Sequence, residues 1–240
     1  MDRYEEEKPT KPSKRYYSYA SGEGKFKYYD KEKKENIYDD YPFRFIVLAS
    51  YMTVTGFHEP SNSGIYSNEV QDNNFDTLTV HLGDEKIVGL WQDIDEKVKD
   101  KGGKYAQSVY VAMYDDNKEM YIANIKLSGA ALGAWFDFTK ANKVTKGGVE
   151  VKKNAKGKKG SVTYNLPVFK MITTTEETES KVKVQYDELK VYLKDYFAKN
   201  QKSKGAVDIF DLAPTKNELI SQAIKEEEGS KPVEEDDLPF

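Results

Sequence analysis

The sequence predicts a mainly β fold with added helices. Short stretches rich in aromatic and β-branched residues recur between turn residues, which is typical of strands. Apolar residues repeat at helical spacing in only a few places. Hydrophobic residues make up 38% of the 240-residue chain and charged residues 32%, so part of the chain should lie outside a packed core. The length suits one domain with extensions, or two small domains.

The N-terminal residues 1–40 are rich in Lys, Glu and Tyr and contain few aliphatic residues. Segments 15–19 and 26–29 interleave Tyr and Phe with Arg and Lys. We interpret residues 1–40 as a flexible basic and aromatic arm. Its rings could stack on nucleic-acid bases, or the arm could pack against the edge of the domain.

We expect the ordered domain over residues 41–200. It begins with a strand at 43–55, where aromatic and β-branched residues run up to Gly56. Residues 76–82 alternate apolar and polar side chains, which predicts a second strand. Residues 85–101 repeat apolar side chains near helical spacing and predict a helix.

Two hairpins follow. Residues 104–127 alternate on both sides of a turn at 115–117, and residues 148–171 repeat the pattern around a turn within 154–160. Between them, residues 128–136 predict a short helix, with Ser128 as its N-cap.

Five or more strands with one short helix late in the set indicate a small barrel of the OB-fold type; a β-sandwich module is the alternative. Residues 178–200 predict a C-terminal helix with one apolar stripe. Its members are Val182, Leu189, Tyr192, Leu193 and Tyr196. We expect a linker with a short helix over 201–224 and a disordered acidic tail over 225–240.

The second hairpin is strongly basic. Seven lysines face one acid, Glu150, between residues 143 and 159, a local formal charge of +6. The lysines are Lys143, Lys146, Lys152, Lys153, Lys156, Lys158 and Lys159. With Tyr164 and Phe169 on the return strand, such a hairpin could wrap a nucleic-acid strand, its ammonium groups on phosphates and its rings on bases. The alternative is a solvated turn whose lysines block edge pairing.

The first hairpin offers a stacking platform. Tyr110 and Tyr114 share one face of their strand, and Tyr121 lies on the partner strand. If the opposite face is core, these rings are exposed and can stack on bases; if both faces are covered, they are core residues. Arg44 and Lys104 could reach phosphates.

The sequence gives little support for an enzyme or a metal-binding protein. Without cysteine there is no thiolate metal site, and neither a phosphate loop nor a Ser–His–Asp set can be assembled. We therefore expect no enzyme activity, no cofactor and no metal. Asp93, Asp95 and Glu96 could hold Mg²⁺ in a nuclease, but the same residues suit an ordinary helix face. Trp91 and Trp135 lie in apolar surroundings and should be packing residues.

Negative charge is concentrated in the C-terminal tail. Residues 225–240 carry two lysines and seven acids, a formal charge of −5, which leaves +1 on the rest of a chain whose total is −4. Such a tail can compete with a polyanion for the basic surface. The chain lacks both an apolar signal region at 1–7 and a run long enough to span a membrane. We therefore expect a cytoplasmic protein without membrane partners.

The last residues of the tail are Asp236, Asp237, Leu238, Pro239 and Phe240. They resemble the acidic tip of bacterial and phage single-stranded DNA-binding proteins, which end in an Asp-Asp-x-Pro-Phe-type sequence. The chain as a whole is similar, more loosely, to phage replication proteins that combine one OB-fold with an acidic tail. The resemblance covers about five residues and implies that the tip binds a partner through its carboxylates and the Phe ring.

The resemblance implies sequence-independent binding of single-stranded DNA in replication, recombination or repair, inside a phage-infected or plasmid-bearing bacterium. The tail would recruit a polymerase, helicase or primase and compete with DNA, and the protein could form a homo-oligomer. The alternatives are a mediator of strand annealing or recombination, and a virion or host-interaction β-protein with a docking tail.

Overall fold

The computed structural model describes residues 11–200, which form a mainly β fold with added helices, as predicted. The strands of this part of the chain are β1 Arg15–Ala20, β2 Lys25–Asp30, β3 Glu35–Tyr38, β4 Phe43–His58, β5 Ser63–Ser67, β6 Leu78–Leu82, β7 Glu85–Gly89, β8 Gly103–Tyr114, β9 Met120–Ser128, β10 Gly148–Lys159 and β11 Val162–Ile172. The helices are α1 Trp91–Asp100, α2 Gly129–Ala141 and α3 Glu176–Asn200, with a 3-10 turn at Glu59–Ser61.

The strands form one open sheet in the order β3-β2-β1-β9-β8-β4-β5-β6-β7, and β10 and β11 continue from β4. Strand β4 is long enough to pair with three neighbouring strands. Its residues 43–45 pair with β10, residues 46–56 with β8 and residues 55–58 with β5. β1 runs parallel to β9.

Five of these strands follow the connectivity of an OB-fold. Their spatial order is β9-β8-β4-β10-β11, and α2 connects β9 to β10. The free edge of β9 pairs with β1, while the backbone N–H of Asn165 in β11 donates to the Ser21 carbonyl at 2.9 Å. The N-terminal strands therefore stand between the third and fifth OB-like strands, and the sheet remains open.

The sheet buries side chains on both faces. On one face, Trp135 of α2 packs against Phe45 and Phe169, with ring centroids 6.1 and 5.1 Å apart. The other face, called here the outer face, meets α3. Leu189, Leu193 and Phe197 of α3 share a cluster with side chains of β4, β8 and β9, namely Leu48, Tyr110, Ala112 and Ile122. A separate cluster joins α1 to β5 and β6, and Trp91 and Trp135 are both buried, as expected of packing residues.

Three sequence expectations differ from the structure. Residues 15–38 form β1–β3 and belong to the sheet, so this part of the expected flexible arm is ordered. The expected helix over 85–101 is divided: β7 pairs with β6 up to Gly89, and only Trp91–Asp100 is helical. The second hairpin turns after Lys159, so the segment 154–159, expected within the turn, is strand. No helix in the described range 11–200 combines the length and apolarity needed to cross a membrane.

Candidate nucleic-acid interface

Cross-strand pairing aligns polar and aromatic side chains across the outer face. Directly paired residues share a face of a sheet, so the strand register defines a row that crosses six strands. From β3 to β4, this first row consists of Tyr38, Lys27, Ser18, Lys126, Ser108 and Tyr51. A second row beside it contains Tyr16, Asn124 and Tyr110. Tyr29 lies two residues from Lys27 and so faces the same side.

The β1–β3 part of the outer face is open to solvent. The side chains of Tyr16, Tyr29 and Tyr38 are 49%, 57% and 40% exposed. The Lys27 ammonium lies 5.9 Å from the centre of the Tyr38 ring, and Lys11 lies equally far from the Tyr16 ring, within cation–π range. We call Tyr16, Tyr29, Tyr38 and Lys27 the tyrosine platform.

The tyrosine platform explains the composition of the N-terminal segment. Tyr17 and Phe26, on the opposite face of β1 and β2, are buried, whereas Tyr16 and Tyr29 are exposed. The Tyr and Phe residues therefore fill core and surface positions alternately, with the period of two that marks a strand. That alternation was the signal that could have identified these residues; the shortage of aliphatic side chains concealed it.

The basic hairpin β10–β11 carries all five predicted turn lysines on its surface. Lys152, Lys153, Lys156, Lys158 and Lys159 are exposed. Lys156 donates to the side chain of Asn165 at 2.7 Å, across the hairpin. Because so many ammonium groups lie within one hairpin, its surface favours a polyanion.

Two asparagines fasten the basic hairpin to the β1–β2 turn. Asn154 donates to the Gly24 carbonyl at 2.7 Å and accepts from the hydroxyls of Tyr19 and Tyr41 at 2.9 and 2.6 Å. Asn165 donates to the carbonyls of residues 21 and 22. These bonds place the hairpin beside the turn that connects β1 and β2, two of the strands that carry the tyrosine platform.

Gly24 is required at this junction for two reasons. Its φ of +69° lies in the left-handed region, and a Cβ there would come within 2.3 Å of the Asn154 amide nitrogen. Any larger residue would be strained at this φ and would displace the Asn154 amide that bonds to the turn.

Arg44 lies at the edge of an open depression of about 530 Å³ beside the basic hairpin. Its guanidinium donates to Glu150 at 2.7 Å, and Lys152 forms a second ion pair with that carboxylate at 3.1 Å. The hydrogen bond from Arg44 holds the pKa of Glu150 below its usual range. Arg44 is itself largely exposed, and Lys170 also lines the depression. The depression can therefore accept a phosphate, although Glu150 neutralises part of its positive charge.

Three of the predicted stacking residues are buried in this structure. Tyr110, Tyr121 and Phe169 are only 5%, 7% and 9% exposed. Tyr110 lies in the cluster beneath α3, the hydroxyl of Tyr121 is 3.4 Å from that of Tyr17, and Phe169 packs on Trp135. Of the two alternatives for the first hairpin, the structure therefore has the buried one: α3 covers Tyr110, and Tyr121 lies against Tyr17 of β1. Phe169 of the second hairpin, expected to contact bases, is covered by α2 instead.

The other predicted residues remain accessible to different degrees. Tyr114 is exposed at the end of β8, with Lys181 of α3 5.8 Å from its ring centre. Lys104 is exposed at the opposite end of β8. Tyr164 is partly buried because its ring lies against the backbone of Gly157. The structure thus brings Tyr164 and the five lysines together but leaves Lys104 and Tyr114 at separate ends of one strand.

A polar cluster lies on the part of the outer face that α3 covers. Glu69, in the loop between β5 and β6, accepts hydrogen bonds from the hydroxyls of Ser108 and Tyr110, the latter at 2.8 Å. Its backbone N–H donates to the Tyr196 hydroxyl of α3 at 2.7 Å. Burial raises the pKa of Glu69, and these hydroxyl bonds oppose the rise. Burial lowers the pKa of Lys126, and the charge of Glu69 opposes that fall.

The predicted tail residues Asp236, Asp237, Leu238, Pro239 and Phe240 lie outside the described residues, as does the predicted linker helix. Comparison of the chain with known protein families, with curated proteins and with solved structures found no match.

Proposed function

We propose that this protein binds single-stranded DNA without reading its sequence. The observation that carries the proposal is the tyrosine platform: three exposed rings lie around Lys27 on one sheet face, and a basic hairpin is hydrogen-bonded to the turn between two strands of that face. The hydrogen bonds of Asn154 and Asn165 join these two surfaces into one region of the molecule.

The chemistry of the two surfaces suits a single strand. An aromatic ring stacks on any base, and such stacking contributes about 1–3 kcal/mol per base. The hairpin lysines supply ammonium groups for phosphates, a contact that carries no sequence information. The bases of a duplex are already stacked on one another and cannot lie on Tyr16, Tyr29 or Tyr38, so the platform favours unpaired bases.

The choice of DNA and of a role in replication, recombination or repair comes from the resemblance of residues 236–240 to the single-stranded DNA-binding family. On that basis the acidic tail recruits replication proteins, with Phe240 as the group that enters a pocket on the partner. The same tail competes with DNA for the basic hairpin.

A fluorescence titration tests the proposal. Poly-dT should quench Tyr emission as bases stack on the exposed rings, and duplex DNA of the same length should bind more weakly. Each phosphate contact should contribute about −0.7 to the slope of log K against log salt. Salt-independent binding, or tighter binding to the duplex, would contradict it.

A further inference from the structure

The cluster around Glu69 is unusual for the underside of a packed helix. Ser108, Tyr110 and Asn124 are buried there, and the Asn124 amide donates to the Ser108 hydroxyl at 2.6 Å. Glu69, a half-buried loop residue, places a carboxylate against these groups, and its two hydroxyl bonds offset the cost of removing it from water. The cluster also continues the first row of the outer face, because Lys126 pairs directly with Ser18 on one side and Ser108 on the other.

The partners of Glu69 are the groups that a phosphate would use. A phosphodiester oxygen, like a carboxylate oxygen, accepts hydrogen bonds from hydroxyls and is stabilised by a nearby ammonium group. Ser108 and Tyr110 supply two hydroxyl donors, and the charge of Glu69 already acts on Lys126. Lys27 of the same row lies on the exposed tyrosine platform, and Lys126 lies between Ser18 of β1 and Ser108, which bonds to Glu69.

We propose that Ser108, Tyr110 and Lys126 form a phosphate site, and that the Glu69 carboxylate occupies it until a single strand displaces it. This inference rests on the proposed function. A strand that lies on the tyrosine platform reaches Lys126 by continuing along the row past Ser18. When its phosphate replaces the Glu69 carboxylate, the hydroxyls exchange one acceptor for another.

Displacement of Glu69 also affects α3. The backbone N–H of Glu69 donates to the Tyr196 hydroxyl, so the loop and the helix are connected at this point. Movement of the loop breaks that bond, and the backbone amides of Glu69 and its neighbours should then exchange faster with solvent.

A double-mutant cycle tests the site. Glu69→Gln keeps the shape of the side chain and removes the competing charge, so it should tighten binding of oligo-dT about three- to tenfold. It should also make the salt slope more negative, by up to about 0.7, because the phosphate at this site then binds without displacing a carboxylate that takes up counterions in its place. Lys126→Gln should have little effect in the original protein, because Lys126 there exchanges the Glu69 carboxylate for a phosphate and gains little overall. In the Glu69→Gln background it should abolish the tighter binding.

The matched control is Glu119→Gln, which removes the same charge from an exposed position in the β8–β9 turn. Its effect on affinity should be smaller and independent of Lys126. If Glu69→Gln and Glu119→Gln behave alike, or if the tighter binding survives replacement of Lys126, the inference is wrong and Glu69 only fastens the loop and α3.

Hydrogen exchange on the unaltered protein gives a second test that does not depend on a folded variant. Saturating oligo-dT should accelerate exchange of the amide of Glu69; unchanged or slower exchange there would overturn the inference. A protein that fails to bind oligo-dT at all would instead refute the proposed function. Binding with no coupling between Glu69 and Lys126 would refute only the phosphate site.

Discussion

Single rings on the tyrosine platform should account for much of the DNA affinity. Replacing Tyr29 or Tyr38 with Ala should weaken binding of oligo-dT by about 1–3 kcal/mol each, the usual contribution of one stacked base. The melting temperature should hardly change, because neither side chain is buried. Fluorescence titration and thermal denaturation of each variant measure the two effects.

Tyr66 provides the matched control. It is as exposed as Tyr29 but lies on β5, where it stacks on His81, away from β1–β3. Tyr66→Ala should bind oligo-dT like the original protein. If Tyr66→Ala and Tyr29→Ala weaken binding equally, exposed rings act wherever they lie and the tyrosine platform is not a distinct binding surface.

Asn154 should matter to stability. Its side chain accepts from the hydroxyls of Tyr19 and Tyr41 and donates to the Gly24 carbonyl. Asn154→Ala leaves partly buried groups without these bonds and should lower the free energy of unfolding by about 1–3 kcal/mol. For a domain of this size each kcal/mol corresponds to a fall of about 2–4 °C in Tm. A Tm within about 1 °C of the original, less than the shift for one kcal/mol, would mean that the hairpin docks by other contacts.

At the scale of elements, the basic hairpin should bind DNA without supporting the fold. Replacing Lys152, Lys153, Lys156, Lys158 and Lys159 with Ala should weaken oligo-dT binding. The salt slope should become less negative by about 0.7 for each phosphate that the variant no longer binds. Tm should stay nearly constant, because exposed charges contribute little to stability. Salt titrations and thermal melts of the variant provide the measurements.

A smaller pair of variants controls for net charge. Lys158 and Lys159 can be compared with Lys86 and Lys97, which are exposed on β7 and α1. If both double replacements weaken binding equally, only the overall charge matters and the hairpin is a solvated turn.

Elements with a clear period were predictable. The two hairpins and α3 lie where the sequence pattern places them, apart from the turn of the second hairpin, because their alternating or helical repeats are long. β1–β3 were missed because Tyr and Phe replace aliphatic residues at their buried positions. The division of β7 from α1 depends on pairing between Leu78 and Gly89, a contact between segments that no local window contains.

The candidate site was predictable only in part, for a related reason. The lysines of the basic hairpin are a local charge excess and can be found from sequence alone. The apolar stripe of α3 predicts that the helix packs, but not on which strands. The burial of Tyr110 depends on which strands α3 covers, and its bond to Glu69 depends on where the β5–β6 loop lies. Neither could be predicted from the sequence.

At the scale of the whole molecule, we expect the distribution of charge along the chain to control the affinity for DNA. Removing residues 226–240 deletes seven acids and one lysine and raises the formal charge by 6. Acids tethered to the domain act at high effective concentration and compete with phosphates, most strongly at low salt where screening is weak. Truncation should therefore tighten oligo-dT binding and speed association, with an effect that shrinks as salt rises. Weaker binding after truncation would instead make the tail part of the binding surface or of the fold.

Phe240→Ala is the matched control for the tail, because it preserves every side-chain charge and removes only the ring. DNA affinity should hardly move, while capture of a replication partner such as a polymerase, helicase or primase should fail, since the ring fills the partner's pocket. Affinity for oligo-dT and retention of the partner on immobilised protein separate the two roles. If Phe240→Ala retains every partner that the original chain binds, the resemblance of residues 236–240 to the single-stranded DNA-binding family is a coincidence of five residues. The proposal of DNA binding would then rest on the tyrosine platform and the basic hairpin alone.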